Sequence, residues 1–308
     1  MASSTLSSAL ISIAAVERDT GLSKDTLRVW ERRYGFPQPL RDAFGERVYP
    51  LEQVDRLRLV KRLMDQGYRP GKIMGHAPAE LQALAEASGA SRSVAVAELT
   101  PELAQFIALV RSHEVEELRS QLAQMQVRIG LARFAIEVVG PLTELVGEAW
   151  TRGELEVFEE HLYTEAIQGV LRQAIGGIPR PGLRPRVLLT TVPGEPHGLG
   201  LLMAEAMFAL EGARCISLGV QTPLWDIVLA ARAQNADVVA LSFSSLPGPA
   251  IVLDSLRELR GKLPGSTELW AGGGSATLQR RAPPGVQVLR GLDSVASELA
   301  RWRRQHDS

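Results

Sequence analysis

The chain has 308 residues, of which 45% are hydrophobic and 22% charged, a composition typical of globular domains. The chain has 34 Lys and Arg residues and 35 Asp and Glu residues. It therefore lacks the overall basic excess that would indicate a nucleic-acid partner. The single cysteine, Cys215, excludes an internal disulfide and predicts a reducing, cytoplasmic setting. No apolar run is long enough to span a bilayer and no signal peptide is recognisable, so membrane functions are disfavoured.

Residues 1–86 are predicted to form the first domain, with short helices joined by turns from residue 12 onward. Gly21 ends the first helix, and Ser23 is a candidate N-cap for a second helix that Gly35 ends. Leu27, Trp30 and Tyr34 of this second helix share one side at helical spacing. Trp30 is expected in the core. A short hairpin with Gly45 at its turn and a helix over residues 51–66 follow.

Charge is concentrated in this first domain, where Gly21 to Gly75 contains twelve basic and seven acidic residues, an excess of five. Arginines on the polar side of the second helix suit the major groove, because guanidinium groups bond guanine edges and phosphates. Arg47 and Tyr49 on the hairpin are expected to hold phosphates as a wing. An ordinary solvated face is the alternative. The predicted DNA contacts are Arg28, Arg32, Arg33, Tyr34, Arg41, Arg47 and Tyr49.

The string LSKDTLRVWERRYGFPQP, followed by ERVYP and a helix, resembles the winged helix-turn-helix of MerR-family transcription regulators over about residues 12–75. Its WERRYGFP portion is specific to one branch of that family. The resemblance implies binding to double-stranded operator DNA, as dimers on inverted repeats.

The rest of the chain divides into three predicted segments. Residues 87–100 are small and weakly patterned and predict a linker, and residues 101–178 show the helical period of a four-helix bundle. Residues 184–308 contain five short apolar runs separated by helical segments, which predicts a doubly wound, parallel five-stranded α/β domain of the Rossmann-like or flavodoxin-like kind. The fold class is therefore multidomain, and ligands are expected at the carboxyl ends of the strands.

A candidate metal ligand, His197, follows the first predicted strand of this sheet. A neutral imidazole ligates a transition metal while its second nitrogen donates to a carboxylate, and Glu195 is the candidate for that carboxylate. One histidine without a nearby cysteine does not hold a bare zinc ion, so the metal must bring most of its own ligands, as cobalt in a corrin does. A loop histidine with solvent partners is the alternative.

The pattern ExHxxG, followed by SFS at the third strand and GGG at the fourth, is similar to the cobalamin-binding module of methionine synthase and related mutases. The resemblance implies that His197 is the lower axial ligand of cobalt and that the nucleotide tail of the cofactor lies beside the sheet. That family has Asp where this chain has Glu195. The cofactor-binding residues implied here are Glu195, His197, Gly200, Ser242, Ser244, Gly272 and Gly273.

The string GEAWTRGELEVFEEHLYTEA, in the predicted bundle, carries a second candidate site. Val157, Glu160 and His161 share one helix face, and Trp150 ends the preceding helix. A core tryptophan and a surface Glu–His pair are the alternative. The arrangement resembles the cap of MerR-type cobalamin-dependent photoreceptor repressors, the CarH/LitR-like group, over nearly the whole chain. It implies that Trp150, Val157, Glu160 and His161 surround the upper axial group, with Glu160 bonding the adenosyl ribose or base.

The function implied is a light-responsive transcriptional repressor, not an enzyme, that binds operator DNA as an adenosylcobalamin-stabilised homo-oligomer in the dark. The oligomer is expected to be a dimer or a dimer of dimers, with methylcobalamin as the alternative cofactor. Thr151 stands where that group commonly has a histidine, which favours a second hypothesis, a light-independent cobalamin-sensing or partner-regulated regulator. A cobalamin carrier subunit of a methyltransferase or mutase is disfavoured, since the chain is too short for a substrate barrel as well.

Overall fold

A computed structural model describes residues 10–42, 44–65, 68–81, 83–84, 101–178 and 184–306. The predicted linker, residues 87–100, lies outside the described residues. The chain divides into two compact units, one of Met1–Glu98 with Glu148–Leu155 and one of Leu99–Gly147 with Glu156–Ser308. In the part of the chain that the structure describes, no helix is both long enough and apolar enough to cross a membrane.

The first unit contains a helix-turn-helix and a three-stranded antiparallel sheet of order β1-β3-β2. Its elements are β1 (Leu10–Ser12), α1 (Ile13–Thr20), α2 (Lys24–Tyr34), β2 (Leu40–Arg41), β3 (Arg47–Pro50), α3 (Leu51–Asp65) and α4 (Pro70–Ile73). The Ser23 hydroxyl accepts the Thr26 amide at 3.1 Å, and left-handed Gly21 and Gly35 end α1 and α2, as predicted. Trp30 is buried in the core, also as predicted.

The second unit begins with the helical bundle. Its helices are α5 (Pro101–Arg111), α6 (Val115–Ile129), α7 (Leu131–Arg133), α8 (Gly140–Thr151) and α9 (Val157–Gly176). A π-helical segment, Phe134–Val139, joins α7 to α8, so the bundle has the four helical stretches that the periodicity predicts. Four of the six π-helical residues are buried: Phe134, Ala135, Val138 and Val139.

A parallel five-stranded sheet forms the rest of the second unit, in the order β5-β4-β6-β7-β8. Its elements are β4 (Arg186–Thr190), α10 (Leu199–Leu210), β5 (Arg214–Ser217), α11 (Leu224–Ala233), β6 (Val238–Ser242), α12 (Pro249–Lys262), β7 (Glu268–Gly272), α13 (Ala276–Arg281), β8 (Val286–Leu289) and α14 (Ser294–His306). This is the flavodoxin-like order, so the predicted fold class is confirmed.

Both faces of the sheet are covered by helices. Helices α11, α12 and α13 pack on one face, and α10 and α14 pack on the other. The bundle helices α7 and α9 contact α10. The chain order reverses between β4 and β6, and at such a switch point the loops that follow the two strands leave a crevice for a ligand. The loops after β4 and β6 carry His197 and Ser244, respectively.

Candidate cofactor site and nucleic-acid surface

Glu195 and His197 form a tight pair in the loop between β4 and α10. One carboxylate oxygen of Glu195, Oε1, lies 2.7 Å from Nδ1 of His197 and accepts the His197 amide at 3.0 Å. The other oxygen, Oε2, accepts the Ser244 amide at 2.6 Å. Because an ionised carboxylate only accepts hydrogen bonds, Nδ1 carries the proton and the lone pair of the ring is on Nε2. The predicted neighbourhood of Glu195 and His197 is thus present.

The Glu195 carboxylate is fully buried, whereas the His197 side chain is 48% exposed. Burial raises the pKa of Glu195, but hydrogen bonds from His197 and from the Ser244 amide outweigh burial and lower the pKa below its ordinary value. The carboxylate therefore stays ionised and orients the imidazole. The half-exposed imidazole, with Nδ1 bonded to the carboxylate, has the tautomer that a metal ligand needs.

Threonines at the ends of the strands hold this loop in place. The Thr191 hydroxyl donates to the Glu195 carbonyl at 2.6 Å and accepts the Gln221 amide at 2.8 Å. The Thr190 hydroxyl lies 2.7 Å from that of Thr222. The loops after β4 and β5 are thus bonded to each other. Sequence reasoning missed these residues, and the only signal was the pair of threonines that ends an otherwise apolar strand.

A cavity of about 290 Å³ lies between α10 and the sheet, and Gly200, three residues after His197, lines it. Two glycines at this cavity stand where a side chain would clash with neighbouring atoms. A Cβ on Gly200 would lie 2.9 Å from the Ser242 hydroxyl, and one on Gly273, where φ is +109°, would lie 2.2 Å from the Phe243 carbonyl oxygen. Four of the residues predicted to bind the cofactor line this cavity together: Gly200, Ser242, Gly272 and Gly273.

Ser244, also predicted to bind the cofactor, contacts the Glu195–His197 pair through its main chain, because its backbone amide donates to Glu195. Its hydroxyl accepts the Leu246 amide at 3.2 Å. Ser244 therefore contributes to the orientation of His197 through its main chain, which a motif of side chains does not reveal.

The candidate cap residues of the bundle lie at the ends of two helices. Val157, Glu160 and His161 occupy the first turns of α9, where His161 is 70% exposed and its Nδ1 lies 2.6 Å from Oε2 of Glu160. The Thr164 hydroxyl donates to Glu160 Oε1 at 2.7 Å. Trp150 lies in the last turn of α8, followed by Thr151, within the segment Glu148–Leu155 that clusters with the first unit.

The first unit presents a basic helix face. The side chains of Arg28, Arg32 and Arg33 are exposed on α2, and Arg41 is exposed on β2. Tyr34 is half-buried against the core, and the Arg33 guanidinium lies 5.4 Å from its ring centroid. These positions agree with the geometry that a major groove requires, since α2 is the second helix of the helix-turn-helix.

The wing hairpin, formed by β2 and β3, is tied to α2. Arg47 Nε donates to Glu31 Oε2 at 2.8 Å, and this hydrogen bond raises the pKa of Arg47. Tyr49 is fully buried, so the prediction that it holds a phosphate is wrong: β3 turns Tyr49 toward α1 and α3, and its hydroxyl has no hydrogen-bond partner among the described residues. Alternation in a short strand did not indicate which face is buried.

Comparisons with known proteins agree with this architecture. A protein family described as "MerR HTH family regulatory protein" matches residues 11–79. Two families described as "B12 binding domain" match residues 102–175 and 185–299. The chain thus combines a MerR helix-turn-helix with a two-part B12-binding region, the class of protein that the fold and the cavity define.

Two curated relatives resemble most of the chain. The HTH-type transcriptional repressor CarH of Myxococcus xanthus is 30% identical over 260 residues, which are 83% of this chain and 86% of the relative. The HTH-type transcriptional repressor CarA of the same organism is 32% identical over 250 residues, 80% of this chain and 82% of the relative. The chain therefore belongs to their family, the B12-binding transcriptional repressors of MerR type, as the sequence motifs predict.

Among solved structures, the Methanosarcina barkeri monomethylamine corrinoid protein superposes with a TM-score of 0.50 at 16% identity. The match covers 63% of this chain and 94% of that protein. This likeness confirms the fold of the second unit, a helical bundle followed by a parallel sheet.

Proposed function

We propose that this protein is a light-responsive transcriptional repressor that binds operator DNA in the dark as an adenosylcobalamin-stabilised homo-oligomer and releases the DNA after illumination. The observation that carries the proposal is the buried Glu195, which orients His197 in the loop that leads into α10, where Gly200 lines the cavity between α10 and the sheet. Family membership supports repression by a B12-binding regulator, for which we propose a cytoplasmic location.

The residues present fit a base-off cobalamin. His197, whose side chain is 48% exposed, would hold the cobalt through Nε2, the nitrogen that does not face Glu195. The cavity lined by Gly200 and Ser242 would take the nucleotide tail, because a Cβ on Gly200 would lie 2.9 Å from the Ser242 hydroxyl and narrow the space between them. When bound, adenosylcobalamin supplies a cobalt–carbon bond that light cleaves.

The chain's own residues would convert this event into a change of assembly. In the proposed arrangement Val157 contacts the adenosyl group, Glu160 hydrogen-bonds it, and the resemblance assigns Trp150 and His161 to the same group of cap residues. Contacts made only with the intact adenosyl group shift an equilibrium by the free energy that is lost with them. An oligomer that holds several DNA half-sites then releases DNA steeply when it dissociates.

DNA recognition is assigned to the first unit. Arg28, Arg32 and Arg33 on α2 would contact base edges and phosphates, and Tyr34 would contact the backbone beside them. Arg41 and Arg47 on the wing hairpin would hold phosphates, with Arg47 kept in place by Glu31. The corrected set excludes Tyr49 because that side chain is buried.

Size-exclusion chromatography tests the proposal directly. The full chain is mixed with adenosylcobalamin in the dark, corrin absorbance is followed across the elution, and the run is repeated after green illumination. We expect a coloured oligomer that dissociates in light and that binds, only in the dark, a duplex selected by the protein from a random-sequence pool. The same run is made with His197→Ala, which removes the proposed cobalt ligand. His76→Ala is its matched control, because His76 also pairs with a glutamate, Glu80, but on the first unit.

Each other outcome selects a different function. A coloured oligomer that light leaves unchanged would support the light-independent sensor that Thr151 favours, and Thr151→His would then be the variant to make. Absence of corrin from the protein peak would contradict the cofactor assignment. Methyl transfer from a methylcobalamin-loaded sample to an acceptor would support a carrier subunit instead.

A further inference from the structure

His113 lies in the turn between α5 and α6, outside every site described above. Its backbone has a φ of +61°, unusual for a residue other than glycine, and its amide donates to the Val110 carbonyl at 3.1 Å. The ring points at α9: Nε2 lies 2.9 Å from Oε1 of Glu159, and the ring centroid lies 5.1 Å from that of Phe158. The turn and the start of α9 are therefore joined by two side-chain contacts.

Glu159 is the carboxylate that this contact serves. It is only 8% exposed, and its second oxygen, Oε2, accepts the Glu156 amide at 2.7 Å. The Glu156 side chain in turn accepts the Glu159 amide, which completes a capping box at the start of α9. One oxygen of Glu159 thus holds the helix start, and the other is held by the α5–α6 turn.

Burial makes these partners matter. A buried carboxylate that loses one of its donors becomes costly to bury, and the first amides of a helix have no partner within the helix. Helix ends are also where local opening begins. Without His113, the Glu159 carboxylate would retain the Glu156 amide as its hydrogen-bond donor.

We propose that His113 is a positioning residue for the upper side of the cofactor site. Acting through Glu159, it holds the first turn of α9 in the geometry in which Val157 and Glu160 meet the upper axial group. His113 thereby determines how well the protein distinguishes adenosylcobalamin from cobalamins with a small upper ligand. The inference rests on the proposed function, because it concerns the same cap residues.

Two cobalamins and three variants of the full chain test this role. Dissociation constants for adenosylcobalamin and hydroxocobalamin are measured in the dark by absorbance titration. We expect His113→Ala to weaken adenosylcobalamin binding about tenfold while leaving hydroxocobalamin binding within about twofold. His113→Gln, whose amide can donate to Glu159, should restore most of the difference. Arg133→Ala, which removes a surface ion pair to Glu137 on the same bundle, should change neither constant.

A purely structural role predicts a different result. General destabilisation of the protein would weaken the binding of both cobalamins by the same factor. An unchanged ratio of the two dissociation constants in His113→Ala would therefore overturn the proposal. The proposal would also be contradicted if His113→Gln behaved like His113→Ala, since the hydrogen bond to Glu159 carries the argument.

Hydrogen exchange separates this proposal from the cofactor assignment. In the protein without cofactor, we expect His113→Ala, but not Arg133→Ala, to speed exchange of the amides over residues 156–160. Unchanged exchange there would contradict the positioning role. If the unmodified protein bound neither cobalamin, the proposed function would fail, and the exchange rates would still decide whether His113 anchors α9.

Discussion

Two Glu–His pairs in the second unit have nearly the same hydrogen-bond length but very different surroundings. Nδ1 lies 2.7 Å from the carboxylate in Glu195–His197 and 2.6 Å in Glu160–His161. The Glu195 side chain is fully buried, whereas that of Glu160 is 33% exposed. A short contact alone therefore does not hold a histidine in the orientation that a ligand needs. Burial of the carboxylate and further hydrogen-bond donors to it are also required.

The other donors come from different kinds of structure. Glu195 receives two main-chain amides, one from its own loop and one from Ser244 after the next strand of the sheet. Glu160 receives a side-chain hydroxyl, that of Thr164 one turn further along the same helix. Main-chain donors in ordered loops lose little conformational entropy on bonding, whereas a side-chain donor such as Thr164 also loses rotamer freedom. The first pair should therefore respond strongly to substitution and the second weakly.

Replacing the histidines should give the largest contrast. We expect His197→Ala to weaken hydroxocobalamin binding by more than about 100-fold, because it removes the only protein ligand we assign to cobalt. His161→Ala should change the same constant by less than about threefold, since the exposed pair stores little energy. Absorbance titration in the dark measures both. Equal effects of the two variants would contradict the distinction drawn between the pairs.

Replacing the carboxylates should give the next largest effect. Glu195→Gln places a neutral amide against His197 Nδ1, and loss of such an orienting partner costs about 10–100-fold in metal affinity. Glu160→Gln should leave hydroxocobalamin binding unchanged and weaken only adenosylcobalamin binding. The same titrations, run with both cobalamins, provide the measurement. A Glu195→Gln protein with unaltered affinity would show that the buried carboxylate does not act on the ligand.

Filling the cavity between α10 and the sheet should have an intermediate effect. Gly200→Val adds a Cβ 2.9 Å from the Ser242 hydroxyl and further carbon beyond it. We expect about tenfold weaker binding of cobalamin but unchanged binding of cobinamide, which lacks the nucleotide tail. Gly261→Ala, where a Cβ meets no atom within 4 Å, is the control. Equal weakening of both corrinoids would mean that the tail does not enter this cavity.

Another carboxylate, that of the partly buried Asp237, separates an effect on stability from an effect on binding. Asp237 accepts the Arg186 amide at 2.7 Å and pairs with Arg184. Burial raises the pKa of Asp237, but the Arg184 guanidinium and the Arg186 amide outweigh it and lower the pKa. We expect Asp237→Asn to reduce the free energy of unfolding at pH 7 by about 1.5–3 kcal/mol without changing cobalamin affinity.

The pH dependence of that loss has a definite sign. Since the folded pKa of Asp237 lies below the unfolded value of 3.8, its contribution is present above that value and disappears as the pH falls through the folded pKa. Urea unfolding of both proteins at pH 7 and at pH 3 measures the difference, which should shrink at the lower pH. A difference that is constant with pH would show that the carboxylate charge is not what stabilises the fold.

Much of this molecule was predictable because its local signals agree with its tertiary structure. The five strands begin and end within two residues of the apolar runs at RVLLTTV, ARCISLG, ADVVALSFS, TELWAGGG and VQVLRG. Capping by Ser23 and termination at Gly21 and Gly35 are local events that a few residues determine. The Glu195–His197 contact was also predictable, since the two residues are neighbours in one loop.

What was not predictable depends on residues distant in sequence. The Ser244 amide reaches Glu195 only because β4 and β6 are adjacent in the sheet, and the His113–Glu159 contact depends on how α5 and α9 pack. Tyr49 was placed on the wrong face because a four-residue strand does not show which side faces the core. The π-helical segment Phe134–Val139 likewise has no distinct signal in its apolar pattern.

The cavity beside α10 has walls from two layers of the second unit. Glu144 of α8 in the bundle lines it together with Arg290 and Gly291, which follow β8 of the sheet. A molecule that fills it contacts both layers, so separating the layers would also require releasing that molecule. By mass action, a ligand present at 100 times its dissociation constant adds about 2.7 kcal/mol to the stability of the state that binds it. The melting temperature of the second unit should therefore report cofactor occupancy even when no DNA is present.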